Sequence, residues 1–200
     1  MRASSIEFEE IRLPLYDENW ATEIRKYNPA ARVPVIVDDG IHVWDSMAII
    51  EHLREKSRGS LGWPVHPVAR ALARSVSAEM HSGFLRVREE LPLNLRARVN
   101  RTVSTRCQDE LARIFEMWAD CRARFGATGP WLFGEMTVAD VVYAPVALRF
   151  RTYGVQVPGR AGEFLAAVEA DPTVRAWVDR AHRETETLPA VDELPPRARE

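Results

Sequence analysis

Apolar and charged residues alternate along "FEEIRLPL" (Phe8 to Leu15) as far as Leu13, the period of a half-buried strand, and Pro14 ends the run. "NWATEIRKYN" predicts a short helix closed by Asn28-Pro29. "VPVIVDD" predicts a strand of β-branched residues, Asp39-Gly40 a hairpin turn, and "IHVW" the returning strand. In "DSMAIIEHLREK" the residues Ile49, Ile50 and Leu53 make one apolar stripe of a helix. The first third of the chain thus predicts strand, helix, hairpin, helix.

"SRGSLGWPVHP" (Ser57 to Pro67) is rich in Gly, Pro and Ser, has no period, and predicts a linker. Helical periods follow. Val68, Leu72, Val76 and Met80 recur every fourth residue, and Val103, Cys107, Leu111, Ile114, Trp118, Cys121 and Phe125 step by three and four along one long helix. Thr137-Val-Ala-Asp140 ahead of "VVYAPVALRF" has the capping-box spacing with Asp in place of Glu. Two short helices are expected near 160–170 and 172–186. The domains expected are residues 1–58, a linker at 59–67, a helical domain at 68–186, and a Pro-rich tail at 187–200 that is loosely docked or without fixed structure.

Composition narrows the function classes. The 200 residues are 46% hydrophobic with a net charge of -2, which gives no electrostatic reason to expect a nucleic acid or an acidic membrane surface as partner. No apolar run approaches the roughly 18 residues of a membrane span, and residues 1–15 are too charged for a signal peptide. Cys107 and Cys121 are about 21 Å apart on one helix, beyond disulfide reach, and read as buried apolar fillers in a reducing compartment. A cytoplasmic location is expected. His42, His52, His66, His81 and His182 show no metal-ligand spacing, so no metal is expected.

The stretch "RVPVIVDDGIHVWDSMAIIEHL" resembles the glutathione transferase superfamily in its Val-Pro strand, hairpin and acidic-Ser helix start, and "GEMTVADVVYAPV" is similar to that family's capped central helix. The resemblance spans about residues 6 to 186. It implies an α/β thioredoxin-like N-terminal domain, incomplete here, followed by an all-α helical-bundle C-terminal domain. It further implies a cis bond before Pro34, with the Val33 backbone paired to the cysteine of bound glutathione. Asp45 and Ser46 fall where the family holds the γ-glutamyl group, and Arg32 is a candidate for the glycine carboxylate. Asp45-Ser46 has a second reading as a plain N-cap, and both can hold together. A second-substrate pocket between the domains would draw on Tyr16, Met80, His81 and Phe84.

The family fold begins with a strand and helix that precede the strand matched by Phe8–Leu13, and the Ser, Tyr or Cys that activates the glutathione sulfur sits there. Only "MRASSIE" precedes Phe8, too few residues for a parallel crossover, so the catalytic residue is unknown. Ser4 and Ser5 read as a polar tail. Three explanations stay open: a start placed too late, a truncation that keeps the helical domain, or flanking strands closed up into a smaller sheet.

The implied function is a glutathione transferase-like protein that conjugates glutathione, through its thiolate, to an electrophilic small molecule, with the activating hydroxyl or thiol residue absent from this chain; the alternatives are a non-catalytic glutathione-fold binding or regulatory protein and a mis-started fragment of an active transferase. Glutathione is the co-substrate or ligand, a small electrophile the partner, and a homodimer the assembly. A disulfide oxidoreductase is excluded because no cysteine lies in the α/β part.

Overall fold

The computed structural model describes residue 1 and residues 6–15, 17–56 and 62–192. The chain divides into two compact units, Met1–Gly62 and Trp63–Glu200.

The first unit holds α1 (Trp20–Arg25), β1 (Val35–Asp38), β2 (Ile41–Trp44) and α2 (Ser46–Lys56). The strands are antiparallel, with Val35 opposite Trp44 and Asp38 opposite Ile41. Asp39 and Gly40 turn the chain with φ of 50° and 79°, the doubly positive pair whose twist matches the flanking strands. Helix α2 packs on both strands. Its Ile49 is buried, and its His52 Nε2 and Lys56 Nζ both reach Asp38 Oδ2 at 2.5 Å. Hydrogen bonds from Lys56 and His52 hold the Asp38 carboxyl below its ordinary range.

The strand expected over Phe8–Leu13 does not form. Residues 6–14 are without regular structure, and Ile11 is 58% exposed. Alternation specifies which side chains share a face, but a strand also needs a ladder partner. Among the described residues β1 pairs with β2 alone, so the flanking segments have not closed up into a smaller sheet.

The second unit is helical: α3 (Pro67–Ser82), α4 (Leu85–Glu90), α5 (Thr105–Phe125), α6 (Val138–Tyr153), α7 (Gly159–Ala170), α8 (Pro172–Arg183) and α9 (Pro189–Asp192). Its core gathers round the fully buried Trp118 of α5, whose ring meets Tyr143 and Phe164 edge-on at centroid distances of 5.5 and 4.7 Å. Cys107, Leu111, Ile114 and Cys121 lie buried on the same stripe. On α3 the buried face is Ala69, Ala73, Val76, Ser77 and Met80, whereas Val68 is exposed. Small side chains on that face let α3 approach α6 closely, which rotates the helix away from the stripe that bulk alone suggests.

Local capping fixes the helix starts. The Ser104 hydroxyl accepts from Cys107 N–H at 3.2 Å, while the buried Glu90 accepts from Ser104 N–H at 2.8 Å and its hydroxyl at 2.6 Å. At α6 the buried Asp140 accepts from Thr137 N–H at 2.7 Å, the Thr137 hydroxyl at 2.8 Å and Leu132 N–H at 2.9 Å. The tail is docked as far as it is described: Asp192 accepts from Asn94 Nδ2 at 2.9 Å, Leu188 N–H at 2.6 Å and Arg96 Nη2 at 3.1 Å. Residues 193–200 of the expected tail lie outside the described residues.

Candidate functional site

The N-terminal candidates are set by the turn between α1 and β1. Asn28, fully buried, follows α1 and donates from Nδ2 to the Arg32 carbonyl at 2.6 Å, while its Oδ1 accepts from Ala30 N–H at 2.9 Å. These bonds form a plug that sets the path of residues 28–32 before Val33. Asn-Pro at 28–29 is a turn signal, but nothing in its spacing reveals that the side chain clamps the loop from inside.

Val33-Pro34 is cis, as the resemblance implies. Val33 is 54% exposed, and among the described residues its backbone N–H and C=O make no backbone hydrogen bond. It stands just beyond the ladder, where β1 opens to solvent. The register that sets Val35 opposite Trp44, continued two residues past the ladder, brings Val33 and Ser46 to the same end of the hairpin. Arg32 is exposed on the same loop.

Asp45 has φ of 72° and joins β2 to α2. Its Oδ1 accepts from Met47 N–H at 2.9 Å, so the capping role weighed for this residue is realised. Ser46 opens the helix, half-buried, with the N-terminal amides of α2 around it. This end of the hairpin therefore presents a Val33 N–H and C=O without a backbone partner among the described residues, a carboxylate and the positive end of a helix dipole.

The second group of candidates is spread over different surroundings. Met80 and Phe84 belong to the core of the helical unit, and His81 is exposed on the last turn of α3. Tyr16 lies outside the described residues, as do Ser4 and Ser5. Phe84 takes φ of 56°, left-handed backbone for a bulky residue, at the bend between α3 and α4. Arg88 holds that bend from below, donating Nη2 to the Met80 carbonyl at 2.7 Å and Nε to the Gly83 carbonyl at 3.1 Å. Sequence reading missed Arg88, since side chain to carbonyl contacts leave no periodic trace.

Neither cysteine is in a disulfide and both are buried, and burial pushes the Cys121 thiol up to about 12, leaving it un-ionised and inert near neutral pH. Among the described residues no group of three or more His, Cys, Asp or Glu is placed to hold a metal ion, and no helix is long and apolar enough to cross a membrane.

Comparison with known proteins matches residues 1–56 to the glutathione S-transferase N-terminal domain and residues 95–180 to the glutathione S-transferase C-terminal domain. A probable maleylacetoacetate isomerase of Caenorhabditis elegans is 35% identical over 80 residues, 40% of this chain and 37% of that protein. A stringent starvation protein A homolog of Haemophilus ducreyi is 24% identical over 140 residues, 70% of this chain and 62% of that protein. The chain thus spans less than two thirds of the length of either relative. A glutathione transferase homolog from Burkholderia gl BGR1, solved with bound glutathione, superposes with a TM-score of 0.66 at 20% identity, covering 92% of this chain and 88% of that one. At that identity the likeness is one of fold: a thioredoxin-like α/β unit followed by a helical bundle. With both domain models matched in order on the two units, the chain belongs to the glutathione S-transferase superfamily.

Proposed function

We propose that this chain binds glutathione on its N-terminal unit and presents the tripeptide's sulfur, as thiolate, to a small electrophile. The carrying observation is the exposed Val33, whose backbone donor and acceptor have no backbone partner among the described residues, at the same end of the hairpin as Asp45 and Ser46. Glutathione is a peptide, so its cysteine main chain can extend the ladder at Val33 by mutual hydrogen bonds. The α-carboxylate of its γ-glutamyl group would meet the Ser46 hydroxyl and the N-terminal amides of α2, and Asp45 would face its α-amino group. Arg32 is the candidate for the glycine carboxylate. In the transfer step the thiolate forms a carbon–sulfur bond with the electrophilic carbon, and the leaving group departs with its electron pair. A homodimer in the cytoplasm completes the reading.

Calorimetry of the full chain with reduced glutathione, alongside Ser46→Ala, tests it. The expected outcome is saturable binding that weakens about tenfold in the variant, the size of losing a charge-assisted hydrogen bond. Absence of heat with a folded protein would refute the site. Binding without turnover of any electrophile would support a carrier or regulator built on the same fold.

A further inference from the structure

Helix α2 lies along the hairpin and is tied to it at both ends. It starts at Ser46, just after β2, at the end of the hairpin where Val33 stands. Its last turn returns to the other end, where Asp38 closes β1 ahead of the Asp39-Gly40 turn. There Asp38 Oδ2 accepts from His52 Nε2 and from Lys56 Nζ, each at 2.5 Å, and Lys56 Nζ also reaches Asp39 Oδ2 at 3.3 Å. His52 and Lys56 are four residues apart, so they leave the helix from one face. Lys56 foremost, and then His52, hold the Asp38 carboxyl below its ordinary range and so keep it ionised. An ionised carboxylate only accepts, so His52 Nε2 carries the shared proton.

Stability alone does not account for two donors on one oxygen. The Asp38 and Lys56 side chains are 25% and 47% exposed, and ion pairs so placed add little to the folding free energy. Burial of Ile49 holds α2 on the strands, but burial has no direction and tolerates a tilt. The ion pairs do have direction. Ser46 and Lys56 are ten residues apart, about 15 Å along the axis, so a tilt of about 5° pivoting on the last turn carries Ser46 about 1.3 Å. That exceeds the spread in length of a good hydrogen bond.

We propose that Asp38, acting through His52 and Lys56, is a positioning residue for glutathione: it fixes the tilt of α2 on the hairpin, and so the distance from Val33 to Ser46 and the first amides of the helix. The role rests on the glutathione reading above, in which the ligand's cysteine main chain lies on Val33 and its γ-glutamyl carboxylate on α2. A tripeptide held on two elements is sensitive to the spacing between them, because its own backbone sets its reach. Asp38 stands at the opposite end of the strand from Val33 and works on the ligand through the helix.

The test is a double-mutant cycle on the full chain, read by calorimetry with reduced glutathione: the parent, Asp38→Asn, Ser46→Ala and the two together. Asp38→Asn should weaken binding about fivefold in a protein that stays folded. Ser46→Ala, expected to cost about tenfold in the parent, should cost less than about twofold in the Asp38→Asn background, because the displaced hydroxyl no longer meets the ligand. A merely structural Asp38 would lower the denaturation midpoint and leave the Ser46 effect whole. Amide spectra of the folded Asp38→Asn variant should show shifts at Met47, Ala48 and Ile49, in the first turn of α2. Should Asp38→Asn fail to fold, Lys56→Gln at a half-exposed side chain carries the same cycle. An additive cycle, or Asp38→Asn at parental affinity, overturns the positioning role and leaves glutathione binding standing. Absence of heat from the folded parent removes the glutathione reading, and the positioning role with it.

Discussion

Asn28 Nδ2 donates to the Arg32 carbonyl oxygen at 2.6 Å, closing the loop that delivers Val33 to the end of the hairpin. The same side chain accepts from Ala30 N–H at 2.9 Å, so a single fully buried amide satisfies the loop from both directions. Asn28→Ala leaves both groups without this partner, at a cost of about 1–3 kcal/mol. The expected outcome is a lower urea midpoint together with weaker glutathione binding in calorimetry. Lost stability with unchanged affinity would show that the loop does not position the ligand.

Asp45 and Ser46 stand side by side but are expected to fail differently. Asp45 Oδ1 caps α2 through Met47 N–H at 2.9 Å, so Asp45→Ala should cost about 1 kcal/mol of stability besides affinity. The Ser46 side chain makes no hydrogen bond to a described residue, so Ser46→Ala should cost affinity and leave thermal unfolding within about 0.5 kcal/mol of the parent. Paired denaturation and calorimetry on the two variants read both effects. Identical behaviour of the two would mean that the segment serves the helix start only.

The tail offers a contact that local sequence patterns cannot reveal. Asp192 reaches Asn94, 98 residues away in the chain, and Arg96. The Leu188 N–H, Arg96 and Asn94 hold its carboxyl below the ordinary range. The contribution is therefore present above the unfolded value near 3.8 and is lost as pH falls through the lower folded value. Asp192→Ala should speed hydrogen exchange at Val191 and proteolytic cleavage near Leu188 at neutral pH. Unchanged exchange would show that the tail is held by other means.

Legibility in the sequence followed the range of the interaction. The hairpin, the start of α2 and the stripe of α5 are encoded within a few residues, by Asp39-Gly40, Asp45-Ser46 and the three-and-four spacing from Cys107 to Cys121. Phe8–Leu13 shows the limit of such patterns, because its alternation is real but the ladder that would make it a strand is a property of another segment. On α3 the four-residue pattern weighs bulk and puts Val68 on the buried face, while the packing against α6 selects Ala69 and Ala73. The bend at Phe84 and the clamp by Arg88 have no sequence signature at all, since a positive φ in Phe and a guanidinium on carbonyls both depend on surrounding structure. For the proposed glutathione site, Val33, Pro34, Asp45 and Ser46 are legible through resemblance, and the Asn28 clamp on the preceding loop is not.

Asp140 should give the helical unit a pH dependence of unusual sign for a carboxylate. Three donors converge on it, from Leu132 and Thr137, and would favour its charged form. Burial outweighs them and raises the carboxyl from 3.8 to about 6. Between those values the native state binds the proton more tightly than the unfolded chain does. This group's stabilising contribution is therefore complete below the unfolded value and is lost as pH rises through the folded one. Asp140→Asn removes the titration, so the unfolding free energy of the parent minus that of the variant should decline from about pH 4 to about pH 6 and then level off. Asp140→Ala should be strongly destabilising at every pH, by about 2–4 kcal/mol, because the buried Thr137 and Leu132 donors lose their acceptor. A parent-minus-Asn difference that is flat across this window, or that rises with pH, would mean that the three donors prevail over burial and keep the carboxylate ionised.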